Sequence, residues 1–172
     1  MKDYIDSGIS IQSAMLDMYK SYPDKATRPN HIIWGGKEVR TGYWIDVPHE
    51  FHLILSFLSA PDANQGADVK VESGYLKLVS GKEVKLLRTW HSPEYEPTVE
   101  YDGYSKTGRI FVCNVYIEER GGHSFEEKWT RNAGMIVELK EKGKYVFRCS
   151  PGEKSPPDFN SIVFTLNIEN RA

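Results

Sequence analysis

The chain has 172 residues, with 22 basic against 24 acidic side chains and a net charge of −2. A chain of this length fits one domain and buries roughly 70% of its unfolded surface, so its core needs neither disulfide nor metal. The scattered, nearly balanced charge lacks the basic face of a nucleic-acid binder, and no apolar run approaches the roughly 18 residues of a membrane span.

Residues 1–30 differ in pattern from the rest. Ile11, Met15, Met18 or Tyr19, and Tyr22 fall at helical spacing, Ser7 or Ser10 supplies an N-cap, and Pro23 ends the pattern. The spacing predicts one short amphipathic helix over 9–21, in an N-terminal extension (1–30) ahead of a domain spanning 31–172. Its Met-rich stripe is expected to pack on that domain. The alternative is docking on a partner subunit, since Met suits adaptable interfaces. No basic leader opens the chain, and two cysteines make no disulfide framework. The default setting is therefore reducing and cytoplasmic, with an extracellular one as the alternative.

After residue 30 the apolar period becomes two. Residues 43–47 and 51–58 read as strands, the latter apolar on both faces as in a central strand. Val69, Val71, Leu76, Leu78, Val84 and Leu86 continue the pattern. Phe111, Cys113, Val115 and Ile117 alternate next, followed by Met135, Val137 and Leu139, then Tyr145, Phe147 and Cys149, and finally Ile162, Phe164, Leu166 and Ile168. Gly and Pro turn signals separate these runs, and Gly143 marks a hairpin between 139 and 147. Eight or more such strands, with no room for helical crossovers, predict an all-β fold: an antiparallel, jelly-roll-like β-sandwich with one short N-terminal helix. Cys113 and Cys149 share the phase of the core residues, and a disulfide would form only if their strands lie together.

Chemistry is sparse. His49 and His52 are three apart on a strand, which sends them to opposite faces and argues against a shared metal. Nucleophile-elbow and phosphate-loop motifs are absent. A catalytic carboxylate pair on one strand should be two residues apart. Glu118 and Glu119 are adjacent and diverge, while Glu94 and Glu96 lie between prolines; both pairs read as solvated charges at strand ends. Asp62, Asn64 and Asp68 loosely resemble a calcium loop without the spacing of an EF-hand, so a polar turn is the plainer reading. No cofactor is expected.

The aromatic residues carry the functional reading. Trp90, Tyr95, Tyr101 and Tyr104 crowd the segment 88–104 among prolines and acids, which reads as a long, stiff connection between strands ending near Leu87 and starting near Arg109. Together with Trp129 they form the expected ligand-binding set, because rings on loops stack on sugars and anchor protein interfaces. The expected function is a non-catalytic recognition module for a protein or carbohydrate ligand, with no nucleic-acid partner; a homo-oligomer is a further option. Two alternatives stand beside it. One is a small glycosidase-like hydrolase using a carboxylate pair with His91 or His123. The other is a subunit of a larger assembly, such as a toxin-neutralising or virion protein, held by the N-terminal helix.

Overall fold

The computed structural model describes residues 1–59 and 64–171. The helix is α1 (Ile11–Ser21). It is followed by β1 (Ile32–Trp34), β2 (Lys37–Val39), β3 (Tyr43–Asp46), β4 (Glu50–Ser59), β5 (Gln65–Val71), β6 (Gly74–Lys77) and β7 (Glu83–Val84). The second half contains β8 (Leu86–Trp90), β9 (Thr98–Ser105), β10 (Arg109–Arg120), β11 (His123–Glu127), β12 (Gly134–Glu141), β13 (Lys144–Ser150) and β14 (Ile162–Asn170).

Two antiparallel sheets share the core. The large one runs β12-β13-β14-β4-β9-β6-β7, the small one β11-β10-β5-β8, with β3 also pairing to β10. Between β4 and β10 the chain passes repeatedly from one sheet to the other, which is the jelly-roll-like element of this sandwich. Period-two alternation drives the arrangement. Phe51, Leu53, Leu55 and Phe57 of β4 face inward beside Phe147, Phe164 and Leu166, against Val69, Val71, Ile110 and Val112 of the small sheet. Phe147 and Phe164 are cross-strand partners whose rings stack at 4.8 Å and 8°. The β12–β13 hairpin turns at Gly143, whose φ of +77° needs glycine.

A second apolar cluster sits at the β12 margin of the large sheet. The Ser10 hydroxyl accepts a hydrogen bond from Ser13 N–H and caps α1, as its side-chain chemistry suits. Ile11, Ala14, Met15 and Met18 pack with Tyr4, Ile32 and Val39. Asp3 accepts N–H bonds from Gly35 and Gly36 at 2.8 Å each and ties the N-terminal segment to the β1–β2 turn. A bridge from Arg40 to Met135 joins that hairpin to β12. The Met-rich stripe is thus buried within its own chain.

Two expectations change. The segment 88–104 is not one long connection: β8 runs to Trp90 and β9 begins at Thr98, so only 91–97 links them. The acids conceal a strand, because Glu100 and Asp102 are outward residues of β9, whose inward ones are Val99, Tyr101 and Gly103. Glu118 is not a solvated strand-end charge; it is 2% exposed and bonded to Arg131 at 2.7 Å. Cys113 and Cys149 are buried and unbonded, and burial raises the Cys113 thiol to about 12.

Replacing Phe164 by Ala empties the centre of the large sheet's inner face. A stability loss of about 3–5 kcal/mol is expected in denaturant unfolding. A loss below about 1 kcal/mol would mean that the stacked ring pair is not central to the core.

Candidate functional site

The five expected contact rings occupy three places. Trp90, Tyr95 and Tyr101 line one groove of about 520 Å³ with Phe57, Leu87 and His91. Tyr104 lies at the far end of β9 on the outer face of the large sheet, where its ring meets Tyr75 at 5.8 Å between centroids. Trp129 stands on the outer face of the small sheet beside Phe111.

The groove exists because β8 and β9 are consecutive in the chain but belong to different sheets. Leu87 and Thr89 turn inward from β8, and Val99 and Tyr101 turn inward from β9, leaving apolar walls at the open side of the sandwich. The linker is stiff and tied at both ends. Pro93 and Pro97 restrict its backbone. Tyr95 N–H donates to Ser92 O at 3.1 Å, and Phe57 N–H donates to Pro97 O at 2.8 Å. These bonds hold Tyr95 out at the rim, 74% exposed. Burial raises the Tyr101 phenol pKa, opposed by a hydrogen bond with the Thr89 side chain. His91 donates its N–H to Gln65 O, packs its ring against Phe57 at 5.4 Å, and leaves Nδ1 buried without a partner among the described residues.

The free edge of β8 completes the site. Lys85 O and His91 N–H bond β5, so the odd-numbered residues of this stretch face that strand. Leu86, Arg88 and Trp90 therefore turn their backbone N–H and C=O outward, with no pairing strand among the described residues. Arg88 is spoken for: it grips Asp68 with two bonds of 2.8 Å and reaches Glu126 at 2.8 Å. The linker beside the groove carries the exposed acids Glu94 and Glu96.

The calcium-like residues are dispersed. Asp62 lies outside the described residues, Asn64 precedes β5, and Asp68 sits inside β5, buried and held by Arg88 with Lys128 at 3.6 Å. No group of three or more His, Cys, Asp or Glu suited to a metal occurs among the described residues.

A constellation that sequence reading passed over lies on the outer face of the large sheet. Glu100 and Asp102 are two apart on β9 and flank His52 of β4, with Nε2 to Glu100 at 2.9 Å and Nδ1 to Asp102 at 2.8 Å. The spacing two was visible in the sequence, but assigning 88–104 to a connection hid it. Arg171 adds Nε at 3.2 Å from Asp102 and Nη2 at 3.0 Å from His52 Nδ1. That Nη2 donates only when Nδ1 is deprotonated. The hydrogen bond to Asp102 raises the His52 pKa, against the effect of burial, and the same bond lowers that of Asp102. An imidazole wedged between the two acids leaves neither as a free general acid, which weighs against a hydrolase here. His49 lies just before β4 and bonds Ser105 O at 2.9 Å, so the two histidines have separate partners.

No family model matches the chain, and comparison with curated proteins returns no significant relative.

A raised histidine pKa stabilises the fold fully below the unfolded value, roughly 6.5, and this contribution is lost as pH rises through the folded value. The stability advantage of the wild type over His52→Asn should therefore be present at about pH 5.5 and shrink by about pH 8.5. Its size should stay within about 1 kcal/mol because both acids are largely exposed. A difference in melting temperature that is flat across this range would show that the imidazolium pairing contributes nothing.

Proposed function

We propose that the protein is a non-catalytic recognition module that captures an extended segment of a partner protein along the free edge of β8. The observation that carries this reading is a groove lined by Trp90, Tyr95 and Tyr101 that runs beside an unpaired strand edge. A peptide added as a strand gains main-chain hydrogen bonds from Leu86, Arg88 and Trp90. Its alternate side chains drop between the sheets onto Phe57, Leu87 and Val99. The stiff linker and its two backbone ties keep the groove formed before binding, which reduces the ordering cost. Glu94 and Glu96 of the linker give the rim a negative sign, so the favoured segment alternates apolar with basic residues.

The test uses a Lys-Val repeat peptide, its Glu-Val counterpart and a Lys-Val peptide N-methylated on the residues that would face β8. Fluorescence anisotropy should show binding of the first and little of the other two. Tyr95→Ala and Trp90→Ala should each weaken it about 30-fold, the effect of losing a roughly 2 kcal/mol anchor. The melting temperature of Tyr95→Ala should not move, since its ring is mostly in solvent. Equal binding of the N-methylated peptide would rule out strand addition, and a large drop in melting temperature would make Tyr95 a structural ring.

A further inference from the structure

The outer face of the small sheet holds a second hollow, separate from the edge groove. Antiparallel pairing places Trp44 of β3 and Lys70 of β5 on either side of Phe111 of β10. Gly42 makes room for the Phe111 ring, because a Cβ there would come within 2.0 Å of it. Trp129, from the segment after β11, closes the third side with its ring 6.4 Å from Phe111. The rings enclose about 310 Å³ above Cys113 and Asp68, at the small end of the roughly 300–1,000 Å³ usual for ligand pockets.

Two features set this hollow apart from core packing. Trp44 and Trp129 are 44% and 43% exposed, although an indole is the side chain that gains most from burial. Trp129 also has φ of +65°, a region that bulky residues rarely adopt. The surroundings hold it there. Thr130 N–H donates to the Tyr116 hydroxyl at 3.2 Å, and Arg131 is anchored on buried Glu118 at 2.7 Å. Backbone strain is thus spent on presenting an indole to solvent beside two other rings.

Charge and ring geometry select the ligand. Lys70 and Lys128 border the hollow, and Lys70 has no ion pair among the described residues. The lining acid, Asp68, is 1% exposed and already neutralised by the two bonds from Arg88. One face of each indole already carries a cation: Arg109 lies 4.2 Å over Trp44 and Lys128 Nζ 4.5 Å over Trp129. A cationic ligand would meet repulsion from these groups, whereas an anion meets the Lys70 ammonium and that of Lys128, which also lies 3.6 Å from Asp68. The planes of Trp44 and Phe111 differ by 53°, and those of Phe111 and Trp129 by 66°. A planar base cannot stack on walls so inclined, but a puckered sugar ring presents C–H groups in several directions.

We propose that this hollow binds a carboxylate-bearing sugar residue, a hexuronate, with its C–H groups against Trp44 and Trp129 and its carboxylate on Lys70 and Lys128. The site goes beyond the strand-capture reading and stands without it.

The experiment titrates the full chain with a galacturonate trisaccharide and with the neutral galactose trisaccharide, followed by tryptophan fluorescence and calorimetry. Saturable binding of the acidic sugar is expected, at least tenfold tighter than the neutral one, and weaker at high salt. Lys70→Met should lose about tenfold for the acidic sugar with an unchanged melting temperature and unchanged binding of the Lys-Val peptide. Trp129→Ala should abolish binding, whereas Tyr95→Ala should bind the sugar as the wild type does. The proposal is overturned by no saturable binding, by equal affinity for the two sugars, or by Lys70→Met behaving as wild type. None of these outcomes bears on capture at β8.

Discussion

The structure depends on one apolar row, Phe51, Leu53, Leu55 and Phe57 of β4, pressed with Phe147, Phe164 and Leu166 against the inner face of the small sheet. Burying these side chains supplies the main driving force, since each large apolar side chain contributes about 1.5–3 kcal/mol on leaving water. The two sheets are unequal in width, seven strands against four plus the short β3. A narrow sheet cannot cover the full margin of a wide one. The open side between β8 and β9 follows from that mismatch, and the groove that carries the proposed function follows from the open side.

The small sheet also pays an electrostatic cost on its outer face and near its end. Asp68 and Glu118 are buried acids, each of which would be strongly unfavourable alone. Arg88 satisfies the first with a two-pronged bond, and Arg131 with Arg120 engages the second. These pairs also position what surrounds them. Arg88 lies near the Trp90 ring at 6.0 Å, and Arg131 comes two residues after the strained Trp129. The same ion pairs that make burial tolerable therefore set the rims of both hollows. By contrast, the outer face of the large sheet carries its charges in partial solvent, with His52 gripped by Glu100 and Asp102 in an arrangement that responds to pH.

Much of the fold was legible residue by residue. The alternation in 51–58, 111–117, 135–149 and 162–168 marked strands β4, β10, β12, β13 and β14, and Ser10 with Ile11, Met15 and Met18 marked α1 within two residues. Strand β9 was missed because its outward residues are acids and tyrosines and its inward ones include Gly103, which is there to accommodate the Phe51 ring. Strand β11 was missed because its residues are almost all exposed, so it carries no apolar period. The rings crowd together in sequence, but strand geometry divides them: Tyr101 and Tyr104 are three apart on β9 and face opposite sides.

Local pattern alone determined the fold class, the helix and its cap, the hairpin at Gly143 and the burial of Cys113 and Cys149, because period, capping and turn chemistry act between neighbours in the chain. Tertiary structure decided which rings meet. Trp44 meets Phe111 only through the pairing of β3 with β10, with Trp129 beside them, and Trp90 and Tyr101 border one groove from consecutive strands of different sheets. It also decided that β8 is an edge and that Asp68 is a buried, paired acid rather than part of a polar loop. Register, sheet width and free edges are properties of pairs of strands, and no single stretch of sequence contains them.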